Sequence, residues 1–525
     1  MIKKKQDGFV LPTLLSLIIA LGIIIFAVAG LIEVNFNSVN NNTQSQKAFN
    51  IAEAGINYYL WHLSHNSSDY KDGQSTPTTP DATLGYGPYV HNYIDTNAKT
   101  TGTYTLWIKP QGNGSTVATV RSIGQVSGSG AKRIIEAKVG APSFASYALV
   151  SDSQFWFGNT ESADGPVHSN QGIRMDGSSN SDVTSSNATY VPSSSLGGNG
   201  STSRPGVWCD TSVTTPVNCN TRSKVDWRYP VTSVDFNQVT SSLCTIKKLA
   251  FASDASTSAL ASNANACTQV PTTRTAAYLP QTATNGSFSV SKGYLITLNS
   301  NGTYDLARVT AETDTQTSYS TALSTTPVAT GIAVPSSGVI FAEDNVWIRT
   351  SSTFTGRVTI ASGRLASSTN STDIVIADDI LYTNKNGSDA IGLITEDSVI
   401  LAPYAIPQTG NFTFEVDAAI IAQSGSVSYP DSYRSSGNCT KGWTGANQKY
   451  LFYGSVSTRQ TWTWTWQMNN SCGSAVYDSA SGKYISGVKT NTTSYDYNLM
   501  YAPPPSFPIT STYNILSWRE VLTKP

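Results

Sequence analysis

The chain is poor in charge. Only 13% of its 525 residues are Asp, Glu, Lys or Arg, about half the usual share of a soluble domain. The 33 basic and 34 acidic residues leave a formal net charge of −1, which excludes a global basic footprint for nucleic acid. There are only four histidines and six cysteines, and no Gly-x-Ser-x-Gly, His-Glu-x-x-His or phosphate-binding glycine loop occurs. What fills the space is hydroxyl: Ser and Thr make up roughly a quarter of the chain. A 39% hydrophobic and 10% aromatic content argues against disorder, which needs low hydrophobicity and high charge. A charge-poor chain containing Thr, Tyr and Val favours strands, and the length favours two or more domains.

The missing charge is concentrated at one place. After Lys3, Lys4, Lys5, Asp7 and Gly8, the 24 residues from Phe9 to Ile32 carry none. At about 1.5 Å per residue this run spans a bilayer core of about 30 Å. The lysines before it place residues 1–8 in the cytoplasm and everything after about residue 33 outside. A secretory signal peptide fits poorly, because the run is too long and no small-x-small site clearly ends it; a plain membrane anchor has the same physics. Helical patterning continues to residue 63, with a polar patch at Asn35–Ser45 and then Phe49, Ala52, Ile56, Tyr59, Leu60 and Leu63 at three- and four-residue spacing. That stripe is expected to dock on a globular head. The polar residues 64–83, with Pro77 and Pro80, end the helix.

Gly8-Phe9-Val10-Leu11-Pro12 after a lysine-rich leader resembles the class III signal of type IV prepilins. Lys47-Ala48-Phe49-Asn50-Ile51-Ala52-Glu53-Ala54-Gly55 resembles the signature that follows the membrane segment in minor pilins of the PilX type. The resemblance implies a prepilin peptidase as partner, cleavage after Gly8, N-methylation of Phe9, membrane insertion through residues 9–32, and later packing against other pilins in a filament. It implies a single-pass membrane protein before assembly and a pilus or cell-surface protein afterwards. Major pilins carry Glu at the fifth residue after cleavage, and this chain carries Thr13. The departure points to a tip or priming position rather than a repeating shaft subunit. Glu53 reads either as part of the signature or as a solvated helical charge.

The rest of the chain is expected to be mainly β. Residues 64–141 read as a small pilin-like β region: strands at Thr101–Pro110, Ser115–Gln125 and Ala131–Val139, joined by a hairpin signal at Asn113-Gly114 and a turn at Ser127–Ala131. Residues 142–525 carry short apolar runs separated by Gly, Asn, Asp or Ser, such as Gly338–Phe341, Val346–Ile348, Asp373–Ile376 and Val416–Ala422. Such spacing without intervening helices suggests a parallel β-helix with outward positions free to be polar; a β-sandwich would need longer, more strictly alternating strands. Residues 200–330, with four of the six cysteines, read as an inserted lobe. Gly338–Ile360, Asp417–Val427 and the run from Tyr495 to Glu520 resemble surface regions attached to some pilin-like proteins, a likeness that brings no catalytic residues with it.

All six cysteines lie beyond the membrane run, which suggests disulfides. Adjacent pairing (Cys209–Cys219, Cys244–Cys267, Cys439–Cys472) is the simplest of fifteen connectivities. No ligand spacing supports zinc, and no cofactor is expected. His62 and His65 end the helix; His91 and His168 fall in β segments. Asp373, Asp378, Asp379, Asp389, Glu396 and Asp397 occupy adjacent turns. They read as backbone caps, or as a groove of carboxylates suited to a cation or a carbohydrate-cleaving pair. Trp462, Trp464 and Trp466 alternate along one strand, forming a core wall if buried and a platform for a surface glycan if exposed. The reading at this point is a non-enzymatic minor pilin displaying a large surface domain for adhesion or assembly, with a membrane-anchored β-helix enzyme acting on extracellular polysaccharide as the alternative.

Overall fold

The computed structural model describes residues 10–522, apart from 67–68, 75–78, 111–116, 159–160, 211–226, 282–291, 315–318, 325, 368–370, 406–411, 430–448, 461, 470–475, 480–481, 489 and 511–512. The protein is mainly β with one long N-terminal helix. It divides into two compact units. One comprises Met1–Lys109, Ala118–Val139 and Ile515–Pro525, the other Pro110–Val117 and Gly140–Asn514.

In the first unit, helix α1 runs unbroken from Val10 to His65. Strands β1 (Tyr86–Ile94), β2 (Thr100–Pro110), β3 (Val117–Val126) and β4 (Lys132–Gly140) form a sheet in that order. The turn at residues 127–131 is closed by Val126 N–H donating to Ala131 O at 3.1 Å; the hairpin signal at Asn113-Gly114 lies outside the described residues. The C-terminal half of α1 buries Ala48, Ile51, Ala52, Gly55, Ile56, Tyr59 and Leu63. Phe49 and Leu60, expected in that stripe, are only half-buried. Ala48, Ala52 and Gly55 stand in this face where the helix lies very close to the sheet. A Cβ on Gly55 would stand 2.3 Å from Ser122 Oγ, and one on Gly124 would stand 2.2 Å from Ala48 O and 2.4 Å from Ala52 N. The Gly55 clash is with a side chain, whereas the Gly124 clash is with helix backbone and can be relieved only by moving it. The Ala-Glu-Ala-Gly run thus has a packing explanation: Ala52 and Gly55 face the sheet while Glu53 points to solvent.

The fifth strand of this sheet comes from the far end of the chain. Asn514–Glu520 pairs beside β4, so the C-terminus does not belong to the head as the boundary 142–525 implied. Opposite charges across the pair hold it: Arg519 lies 2.6 Å from Glu136, and Arg133 pairs with Glu520.

The second unit is wound from short parallel strands. From Val339 to Thr463 the chain alternates at every step between two parallel sheets, through Val339–Ala342, Asn345–Thr350, Arg357–Ser362, Ile374–Ile376, Ala390–Thr395, Val399–Leu401, Thr413–Ala422, Val427–Ser428, Lys449–Thr458 and Trp462–Thr463. A continuous inward row crosses the first sheet: Ile340, Ile360, Leu393, Ile420, Val456, Leu149, Val167 and Val183, each in register with the next. Across the second sheet, Val346, Ile374, Val399, Val427 and Trp462 do the same. These rows share one buried apolar cluster.

Two expectations need correction. The outward row of the first sheet is not polar throughout. It runs Phe341, Ala361, Ile394 and Ile421 before reaching Ser457, because an amphipathic helix, α2 (Asn237–Ala252), covers it with Val239, Leu243, Ile246, Ala250 and Phe251. Nor do the described residues of 200–330, read as an inserted irregular lobe or a long excursion from the β-helix, all stand outside the stack. Trp227–Arg228, Tyr278–Leu279 and Gly293–Leu298 join the parallel sheets, since Tyr294 and Ile296 extend the rows of Val346 and Ile348. Among the described residues there, Thr303–Asp314, Tyr319–Leu323 and Ala329–Ala333 add antiparallel strands, and Arg204–Pro205 pairs antiparallel with Thr189–Tyr190.

Gly124→Val is expected to destabilise the first unit by about 1–3 kcal/mol or more, seen as a lower thermal midpoint of the detergent-solubilised protein. Gly22→Ala, whose methyl would meet nothing within 4 Å, should leave that midpoint unchanged.

Candidate functional site

The outstanding surface is the first half of α1. From Val10 to Ile32 its large apolar side chains are exposed, Phe26 to 81%. Exposed apolar area is unfavourable in water by about 25 cal/mol per Å², and a patch of this size marks a membrane or protein contact. The helix is long and apolar enough to cross a membrane. Thr13 donates its hydroxyl to Val10 O at 2.9 Å, so its polarity is met within the helix. Glu33 is the first charged residue of α1. Gly8 and Phe9 lie outside the described residues.

In the second unit the acidic turn residues act on backbone. Asp389 accepts from the Gly356 and Asn384 amides at 2.8 and 2.7 Å. Asp379 accepts from Glu415 N at 2.8 Å, and Asp373 from Ser398 N at 2.9 Å. Glu396 accepts from Arg364 N at 2.8 Å. Each such bond ties a turn to a neighbouring segment. Burial pushes the Asp373 carboxyl up to about 6 and raises Asp379 and Glu396. Among the described residues no three His, Cys, Asp or Glu are grouped to hold a metal.

His168 is buried in the outward row of the first sheet. It meets Thr184 Oγ1 at 2.9 Å and Asn170 Oδ1 at 3.0 Å, and burial lowers its pKa from 6.5. This is a structural imidazole in a hydrogen-bonded row. His91 lies in the first unit, 2.8 Å from Asp72.

The tryptophan platform is not formed. The strand breaks at Trp464 into Trp462–Thr463 and Thr465–Met468. Trp464 is 3% exposed, packed on Tyr450 and Phe452, and Trp466 is 7% exposed, donating Nε1–H to Tyr429 O at 2.9 Å. Trp462 is half-buried against Phe157. Core space at the end of the inward row takes these rings. Cys244–Cys267 is a disulfide that ties α2 to the turn Ala266–Thr268. Cys209 is also disulfide-bonded, while Cys219, Cys439 and Cys472 lie outside the described residues.

Composition and motif reading missed the buried charges. Lys247 and Glu343 meet with neither side chain exposed, and Arg364 pairs with Asp344 beside them. The signal was present: Lys247 follows Ile246 and stands four residues after Leu243 on the apolar stripe of α2. Also unforeseen was a stack on the outer side of the strands Phe155–Phe157, Ile173–Met175 and Val207–Trp208. There the Arg174 guanidinium lies between Trp156 and Trp208, 4.8 and 5.2 Å from their ring centres.

No family model matches this chain, and no curated protein matches it. Among solved structures, the competence-associated pilin ComZ from Thermus thermophilus aligns over 92% of this chain and 98% of its own, at 12% identity and a TM-score of 0.29. A superposition that loose carries no argument about fold or function.

Trp464→Ala should cost about 3–5 kcal/mol of stability, measured by denaturant unfolding of the second unit. The His168 pKa is depressed on folding, so its stabilising contribution is present above its unfolded pKa and is lost as pH falls below it. Lowering the pH from about 7.5 to about 5 should therefore reduce the thermal midpoint more in the wild type than in His168→Gln.

Proposed function

We propose that this chain is a type IV pilin-like protein, a minor pilin of the PilX type, with a parallel β-helix as its head. The observation that carries the reading is the uncharged run Phe9–Ile32 after Lys3-Lys4-Lys5 and Gly8, continuing without interruption into the sheet-docked half of the same helix. A plain anchor does not require that continuity. A filament subunit does, because its helix must leave the bilayer still attached to a folded head and bury its apolar surface against other helices. In this reading a prepilin peptidase cuts after Gly8, Phe9 is N-methylated, and the exposed apolar half of α1 moves from lipid into a filament core.

Thr13 supports a tip or priming position, since it supplies no carboxylate for a neighbour's N-terminal ammonium. The second unit spans Gly140–Asn514, a head too bulky to repeat conveniently along a shaft. Strands that alternate between two parallel sheets support the β-helix reading. Such a head serves adhesion or assembly at the cell surface rather than catalysis, consistent with acidic turns that cap backbone.

N-terminal mass spectrometry of the protein from its native host tests this. The expected chain begins at methylated Phe9. An intact Met1, in cells whose other pilins are processed, overturns the reading. Gly8→Gln should leave the unprocessed chain in the membrane and out of sheared surface filaments.

A further inference from the structure

Lys247 on α2 and Glu343, just after the strand Val339–Ala342, form a pair with neither side chain exposed. Phe251 and Phe341 flank the ammonium, their ring centres 5.9 and 5.6 Å away. Lys247 Nζ also donates to Cys267 O at 2.8 Å. Glu343 Oε1 faces Lys247 Nζ and accepts from Tyr278 Oη at 3.2 Å. The other carboxyl oxygen, Oε2, is buried and has no hydrogen-bond partner among the described residues. A fully buried carboxylate oxygen without a donor is costly and rare, and a buried ion pair repays its desolvation only when its remaining lone pairs are met.

We propose that Lys247 and Glu343 are joined by an intramolecular amide, formed spontaneously once the chain has folded. The Lys247 amine attacks Glu343 Cδ. The Nζ–Cδ bond forms, the Cδ–Oε2 bond breaks, and Oε2 leaves as water with the carboxyl proton and one amine proton. No oxidant or other co-reactant is required. The Tyr278 hydroxyl points at Oε1, where negative charge develops during the addition. Packing holds amine and carboxyl together, which replaces a bimolecular encounter. Burial also favours the two neutral partners the reaction needs, raising the Glu343 carboxyl to about 7 and lowering Lys247.

The product accounts for each polar atom. The amide N–H keeps Cys267 O as acceptor, the amide oxygen keeps Tyr278 as donor, and the unpartnered oxygen is gone. The bond would tie α2 to the first parallel sheet, a second covalent tie beside the Cys244–Cys267 disulfide.

Intact mass spectrometry of the reduced full-length protein tests this, with the mass referred to whichever N-terminus sequencing finds. The expected mass is one water below that of the unlinked chain. Tryptic digestion should yield a branched peptide joining residues 247 and 343, with no cleavage after Lys247. Full mass with linear peptides cut at Lys247, or a lost water mapped to other residues, overturns the proposal. Lys247→Arg keeps the charge but should restore full mass; should that variant not fold, the wild-type peptide map still decides.

Discussion

The second unit depends on one register: Val456, Ser457 and Thr458 pair in parallel with Leu149, Val150 and Ser151. The chain enters the stack at Leu149 and winds away from this line through Val167 and Val183. It later reaches the opposite end of the stack and winds back to the same line through Leu393 and Ile420. Two windings far apart in sequence therefore share one inward row only because Val456 meets Leu149. Side-chain bonds lock the junction: Ser153 Oγ donates to Gln460 O at 2.6 Å, Ser455 Oγ to Tyr147 O at 2.6 Å, and Tyr495 Oη to Ala145 O at 2.9 Å. Here the abundant hydroxyls have a definite use, satisfying buried carbonyls where two runs of coil abut.

This junction also explains what could be read in advance and what could not. Parallel winding was legible from short apolar runs such as Val339–Phe341 and Ile391–Ile394, because each run buries the same few inward positions. The meeting of residue 149 with residue 456 was not, since nothing local distinguishes an end coil from a middle one. The apolar outward row was hidden for a similar reason. Ile394 and Ile421 look like ordinary strand residues until Leu243 and Ile246 of α2 are placed on them. The acidic turns were legible as caps, but the raised pKa values of Asp373, Asp379 and Glu396 follow from burial that only the folded stack creates.

In the first unit the governing constraint is distance. Gly55 and Gly124 let α1 lie on the sheet so closely that added methyl groups would meet Ser122 Oγ or helix backbone. The sequence stripe located the docked segment but favoured large residues such as Phe49 and Leu60, since periodicity measures hydrophobicity and not clearance. The small residues set the close approach, while Ile51, Ile56, Tyr59 and Leu63 fill the contact around them. The exposed half of the same helix, from Val10 to Ile32, was legible in full, because a run without charge needs no tertiary context to be recognised.

The order of the chain brings the two ends of the second unit's main segment together. The first unit holds the helix, β1 to β4 and the strand Asn514–Glu520, so the main segment of the second unit, Gly140–Asn514, is inserted between β4 and that last strand. Its two ends are strapped together: Phe144 N–H donates to Pro508 O at 2.9 Å, and Thr510 N–H to Pro142 O at 2.8 Å. These bonds join the entering and leaving segments of the second unit to each other. The cross-strand pair of Arg519 with Glu136 holds the returning strand beside β4, and with Arg133–Glu520 it places charge in a charge-poor protein where the final strand must not slip.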